Sequence, residues 1–275
     1  MTEGKAFSEW LVASDIDGTL NNKRRKLPEV NLKAIKEFVD KGGNFTLASS
    51  RNPQSMWRHY RNLPITTPGI VTNGAGIFDF QKREYVDFTS ISEKGIAQIC
   101  KKKRQFFTLD AIVVTKDMLY ISGLGLWSYL YVFIDRLTHK HVLNINNIPK
   151  ENWGKVIVSG PWWRVKQAKK HFARIPDRDF DLVDTSFVSF EILPKNVNKG
   201  TAVLRLAEIL GIDKEHTAAI GDYYNDKKML SAVGVSACCG QAPKPMKAVA
   251  DYVACHCNDG AVADFLGYLT ENHIK

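Results

Sequence analysis

No stretch of the 275 residues holds the roughly eighteen consecutive apolar residues that a membrane-spanning helix needs, which excludes that class. The opening MTEGKAFSEW lacks the basic start and apolar centre of a secretory signal, so the expectation is a soluble cytoplasmic protein. Cysteine is scarce: Cys100 stands alone, and Cys238, Cys239, Cys255 and Cys257 lie late in the chain. An odd number of cysteines with no route to an oxidising compartment predicts free thiols. Neither C-x-x-C pairs nor histidines at ligand spacing accompany them, which argues against zinc. Internal repeats and low-complexity stretches are also missing.

What is present is ordinary globular material, 44% apolar and 24% charged, enough for one large domain or two modest ones. The net charge of +9 suits a phosphate-rich partner, either nucleic acid or a small phosphorylated substrate, and does not choose between them. The densest basic run, Lys101 to Arg104, follows IAQIC at an expected helix end, where cations complement the dipole and a solvated terminus accounts for them. Nucleic acid would want a recognition motif around Phe106, Phe107, Trp162 and Trp163, and none frames them.

Strands and helices alternate at both ends of the chain. WLVASD, NFTLASS and GIVTNGA read as strands. LPEVNLKAIKEFVDKGG reads as a helix burying Leu32, Ile35, Phe38 and Val39, and NPQSMWRHYRNL as a second with Pro53 in its first turn. After Pro194 the alternation resumes: KGTAVLRLAEILGI predicts a helix with Ala202, Val203, Leu206, Ile209 and Leu210 on one face, TAAIGD, VGVSACC and DYVAC strands, and GAVADFLGYL a closing helix. Such βαβ units imply a parallel sheet with functional groups at the strands' carboxyl ends. Between them IFDF, YVDF, AIVVT, MLYIS, KVIVSG and FVSFEILP read as strands, mixed with the helical ISEKGIAQICKKKRQF, LWSYLYVFIDRLTHK and RVKQAKKHFARI. The expectation is an α/β core in two parts, 1–81 and 191–275, interrupted by an α+β domain at 82–190.

Chemistry concentrates at four places. In ASDIDGTLNN, Asp15 and Asp17 at i and i+2 share one side of an extended chain, with Ile16 turned inward. Two like charges so placed repel unless a cation or backbone amides offset them, and a hard divalent cation, Mg²⁺ above all, fits oxygen ligands. Gly18 allows a tight turn and Thr19 adds a hydroxyl, although DxDGT alone could be an Asx-capped turn. Ser49 and Ser50 close the second strand, where a hydroxyl can donate to a phosphate oxygen or cap the helix that follows. Lys199 begins a helix, against the dipole, which suggests service to an anion. In IGDYYND, Asp222 ends a strand and Asn225 and Asp226 follow within a turn.

Taken in order, these four motifs resemble the haloacid dehalogenase superfamily, and the large insert with VTNGA and NDGAVA is similar to its Cof-type, sugar-phosphatase-like branch with an α/β cap of the C2 type. The resemblance implies a Rossmann-like core and a Mg²⁺-dependent phosphomonoester hydrolase. Asp15 would be the nucleophile that becomes an aspartyl-phosphate, and Asp17 the acid and base. The Asp15 carboxylate, the Asp17 carbonyl and Asp222 would hold Mg²⁺. Ser49, Ser50, Lys199 and Asn225 would bind the phosphoryl group, with Thr19 and Asp226 as orienting groups. The implied partner is a small phosphorylated metabolite released by a cap that opens and closes over the site.

Departures from the branch pattern are Ser49-Ser50-Arg51 where Thr-Gly-Arg is usual, Gly240-Gln241-Ala242 where Gly-Asn-Ala is common, and a shortened NDGAVADFL. The alternatives are a phosphomutase of the same superfamily and a phospho-ligand or nucleic-acid binding protein without turnover. Both aspartates argue against the last, and Asp17 argues against dehalogenation.

Overall fold

A computed structural model describes residues 7–274 and leaves out the side chains at 130, 131, 134 and 135, so residues 1–6 of the opening stretch lie outside it. Two compact units emerge, one formed by the residues up to Val86 with those from Asn198 onward, the other by Asp87–Val197. The cuts expected near 81 and 190 fall in the turn between two paired strands and within a strand.

In chain order the first unit contributes β1 (Leu11–Ser14), α1 (Glu29–Asp40), β2 (Asn44–Leu47), α2 (Pro53–Tyr60), β3 (Gly69–Val71), β4 (Gly76–Asp79) and the start of β5 (Glu84–Phe88), the strand in which the boundary falls. The second unit carries β6 (Asp110–Thr115), β7 (Leu119–Ser122), β8 (His139–Val142), β9 (Trp153–Ser159), β10 (Asp181–Ser186) and β11 (Ser189–Leu193), with helices α3 (Glu93–Arg104), α4 (Ser128–Asp135) and α5 (Trp162–Ala173). The chain then returns through α6 (Lys199–Leu210), β12 (Thr217–Gly221), β13 (Val235–Cys238), β14 (Tyr252–Val253) and α7 (Ala261–Asn272).

The first unit is α/β. Its main sheet has the order β14-β13-β12-β1-β2 and is parallel throughout. β1 is central and buried along its whole length, as a parallel strand covered on both faces must be. Val12 packs with Ile35, Phe38, Phe45 and Phe265 on one face, while Leu11 and Ala13 pack with Ala202, Val203 and Leu206 on the other. Each fully buried large apolar side chain contributes roughly 1.5–3 kcal/mol. Ile209 departs from expectation: it is 47% exposed, because α6 turns only the face of Ala202, Val203 and Leu206 toward the sheet.

The second unit is built on a six-stranded sheet, β10-β11-β9-β6-β7-β8, antiparallel except for β7 with β8. Its larger core gathers Ile96, Ile99, Trp153, Phe172 and Phe190. The helix expected over LWSYLYVFIDRLTHK is shorter, since Arg136 turns left-handed (φ 47°) and His139–Val142 becomes strand β8. β10 was not anticipated: DLVDTS carries little apolar signal and lies at the sheet's edge. The basic run ends α3, but Lys103 within it is buried, and burial lowers its pKa to about 8 against the pull of Asp110. Among the described residues no helix is long and apolar enough to cross a membrane.

Phe45 is fully buried in β2, so Phe45→Ala should destabilise the first unit by about 3–5 kcal/mol, read as a shift in the urea unfolding midpoint. A change below 1 kcal/mol would contradict this packing of the sheet.

Candidate active site

Three parallel strands end together. Asp15 N donates to Ile220 O (3.0 Å), Ala48 N to Ser14 O (2.8 Å) and Cys239 N to Gly221 O (3.1 Å), so the loops after β1, β2 and β12 leave the sheet side by side. Asp15, Ser49 and Asp222 therefore follow neighbouring strand ends, the place where open α/β sheets gather ligands.

The chain turns sharply after Asp15. Leu20 N donates to Asp15 O and Asn21 N to Ile16 O, and Gly18 at the turn has φ +84°. A Cβ on Gly18 would stand 2.5 Å from Asp222 Oδ2, so both the conformation and the closeness of the carboxylate require glycine. Thr19 Oγ1 lies 3.5 Å from Asp222 Oδ1. Ile16 is fully buried, as expected.

The two aspartates have different surroundings. Asp15 is buried, whereas Asp17 is exposed and accepts from Arg51 Nη2 (2.9 Å) and Nε (3.3 Å). Arg51 in turn donates to Ser55 Oγ (2.9 Å), fixing the Asp17 carboxylate through α2. Arg51 stands in the second motif, and its charge was the signal for this pairing.

The negative charge is crowded elsewhere. Asp15, Asp222 and Asp226 each offer a carboxylate oxygen, all within 4.8 Å of one another. Lys199, itself 1% exposed, donates from Nζ to Asp15 Oδ1 (2.5 Å) and Asp226 Oδ1 (2.6 Å). Asn198 holds the start of α6 in place, accepting from the Gly200 and Thr201 amides while Thr201 Oγ1 accepts from Asn198 N. The anions that Lys199 serves here are thus the chain's own carboxylates. Asp226 is fully buried and also accepts from the Asp222 and Tyr223 amides at Oδ2 (3.2 and 3.3 Å). Asn225 is exposed, and its Nδ2 lies 3.4 Å from Asp226 Oδ1.

Burial raises Asp15 to a pKa of about 7; Lys199 opposes the rise, and Asp226 and Asp222 add to it. Asp222 is raised to about 6 by burial and by Asp226, with Lys199 opposing. For Lys199, burial disfavours the charge, but the two carboxylates outweigh it and the ammonium persists.

Ser49 is buried where β2 meets β3: its amide donates to Ile70 O (2.9 Å) and its Oγ accepts from Arg51 N (3.3 Å). Ser50 is half-buried on the same loop. The cap of α2 is Asn52, whose Oδ1 accepts from Ser55 N (2.9 Å), so that task does not fall to either serine. Gln241, one of the departures from the family pattern, donates from Nε2 to Gly18 O (2.6 Å) and accepts at Oε1 from Cys257 N (3.0 Å). It ties the first motif's turn to the loop before α7, a role that pattern comparison alone did not suggest.

The raised carboxylates set a pH dependence. Between the ordinary value of 3.8 and about 6 to 7, the folded chain holds protons that the unfolded chain has released. Their stabilising contribution is complete below 3.8 and is lost as pH rises through about 7. With divalent cations removed, stability in urea should therefore fall from pH 5 to pH 7.5 more steeply in the wild type than in Asp222→Asn. Equal slopes would contradict the raised carboxylate.

Known proteins resemble the chain over nearly its whole length. The model of one family, described as haloacid dehalogenase-like hydrolase, matches residues 12–266. The phosphatase YwpJ of Bacillus subtilis (strain 168) is 26% identical over alignments covering 94% of this chain and 99% of that protein. A haloacid dehalogenase-like hydrolase from Bacteroides thetaiotaomicron shares the fold with a TM-score of 0.83 at 19% identity, covering 94% of this chain and 99% of its own. A HAD subclass IIB sugar phosphatase, BT4131, does so with a TM-score of 0.77 at 18% identity, covering 94% and 98%.

Proposed function

The chain belongs to the haloacid dehalogenase-like hydrolase family and is a phosphatase, and we propose that it is a Mg²⁺-dependent phosphomonoesterase of small phosphorylated metabolites, sugar phosphates first among them. The observation that carries this reading is the buried lysine shared by Asp15 and Asp226 with Asp222 alongside. An oxygen-only donor set suits a hard cation. Lys199 and the backbone amides engage Asp226, so the Asp15 carboxylate and Asp222 would hold Mg²⁺ with the Asp17 carbonyl. When bound, the ion supplies positive charge against the phosphoryl oxygens.

In this reading Asp15 attacks phosphorus as the bond from phosphorus to the ester oxygen breaks, and Asp17 gives its proton to the departing alcohol. Water then attacks the phosphorus of the aspartyl-phosphate, Asp17 takes the water's proton, and the bond to Asp15 breaks to release phosphate. Arg51 pairs with the Asp17 carboxylate, and in this reading that contact loosens while Asp17 carries the proton. Lys199 stays charged throughout: as Asp15 gives up its negative charge to phosphorus, the lysine keeps its bond to Asp226 and turns its charge to the phosphoryl oxygens, joined by Ser49. Five free thiols suit a reducing cytoplasm.

A screen of sugar phosphates and other small phosphate esters, with free phosphate as readout, should find substrates. Asp15→Asn should lower turnover roughly 10⁴-fold or more while ester binding, measured by calorimetry, survives. Hydrolysis retained in that variant would remove Asp15 as the nucleophile. Excess chelator should stop the wild-type reaction and added Mg²⁺ should restore it; undiminished turnover in chelator would contradict the cation site.

A further inference from the structure

The turn Thr72–Gly74, within the VTNGA stretch, has no part in the chemistry just described, yet its backbone is tightly constrained. Three successive residues are left-handed, with φ of 56° at Thr72, 57° at Asn73 and 95° at Gly74. A β-branched residue avoids that region, and Thr72 occupies it while 1% exposed. Its Oγ1 is also the one buried side-chain nitrogen or oxygen among the described residues with no hydrogen-bond partner. Backbone strain and an orphaned hydroxyl persist together only where the surroundings dictate the conformation.

Those surroundings are two loops of the active site. On one side Thr72 N donates to Arg51 O (2.8 Å) and Asn73 N to Ser49 O (3.0 Å), so consecutive amides clasp both ends of the Ser49–Arg51 loop. On the other side Arg205 of α6 donates from Nη2 to Gly74 O (2.7 Å). The space beside Gly74 is filled by the carbonyl of Asn198, which a Cβ would approach to 2.3 Å. Asn198 caps α6 directly before Lys199. The turn is thus wedged between the loop that carries Ser49 and the helix start that carries Lys199.

We propose that Thr72–Gly74 is a positioning element that sets the separation between Ser49 and Lys199, and so the width of the seat for the phosphoryl group. This rests on the phosphatase reading above. Thr72 and Gly74 touch no substrate in it; they act through the backbone. Errors of about 1 Å in such a seat reduce turnover on the order of 100-fold while substrate binding changes little.

The test uses the full chain. Thr72→Gly accepts the left-handed conformation without strain and removes the orphaned hydroxyl, but frees the turn. It should leave Tm unchanged or raised, lower kcat by about 10-fold or more and move KM less than about threefold. Gly74→Ala should push against Asn198 and lower kcat by about 100-fold. Thr72→Val, which keeps the branched shape and the rigid turn, should restore turnover. Affinity for inorganic vanadate, measured by calorimetry, should weaken in Thr72→Gly and Gly74→Ala and recover in Thr72→Val. A folded Thr72→Gly with wild-type kcat and wild-type vanadate affinity would overturn the proposal. Equal losses in Thr72→Val and Thr72→Gly would also overturn it, because the hydroxyl itself would then be the working group. If the wild type hydrolyses no phosphate ester, the phosphatase reading fails and the vanadate series alone decides the positioning role. A wild type that binds no vanadate overturns it.

Discussion

The contact of Lys199 with Asp15 and Asp226 is the constraint on which the rest of the site depends. A lysine and two carboxylates are each costly to bury alone, and here each makes the others tolerable. The balance is incomplete: three carboxylates, Asp15, Asp222 and Asp226, face one ammonium, so full ionisation leaves two net negative charges. Burial above all, with the neighbouring carboxylates adding to it, pushes Asp15 and Asp222 toward their protonated forms, and the excess negative charge is what a divalent cation would neutralise. Ion and substrate phosphate would then arrive at a place whose charges are already fixed, and little reorganisation would remain for the reaction itself.

The fold makes that contact available by bringing distant residues to one sheet edge. Asp15 follows β1, Asp222 and Asp226 follow β12, and Lys199 opens the helix that packs on the adjacent face. The parallel sheet ties its two halves through β1 and β12, although the starts of those strands lie 206 residues apart with a whole unit inserted between. The insertion is tolerable because the second unit has its own sheet and its own core. Around the charged centre, short polar links then fix each loop: Arg51 on Asp17, Gln241 on Gly18, and the Thr72–Gly74 amides on the Ser49 loop.

Much of this was legible in the chain because the signals are local. Buried parallel strands are short apolar runs, helices announce themselves by period and cap, and the carboxylates of DxDGT and GDxxND stand out at strand ends. Geometry that depends on a turn was not legible. The spacing of Asp15 and Asp17 predicts one shared side, but it does not tell that Asp15 meets Lys199 and Asp17 meets Arg51. Lys199 read as a cation waiting for a ligand, because its carboxylate partners lie 184 and 27 residues away. β8, His-Lys-His-Val, was hidden at the end of a segment that read as one helix running past Arg136, and β10 carried too few apolar residues to declare itself. Gln241 stood out only as a departure from a pattern; its two hydrogen bonds exist only in three dimensions.

The central claim is that Asp15, held by Lys199, carries the phosphoryl group during turnover. Acid-quenching the wild-type protein during steady turnover of its best phosphate ester, followed by peptide mass spectrometry, tests it most directly. The account predicts a phosphoryl adduct on the peptide that contains Asp15, absent when Asp15→Asn is treated in the same way. Turnover with no adduct on that peptide, or an adduct on any other residue, would contradict it.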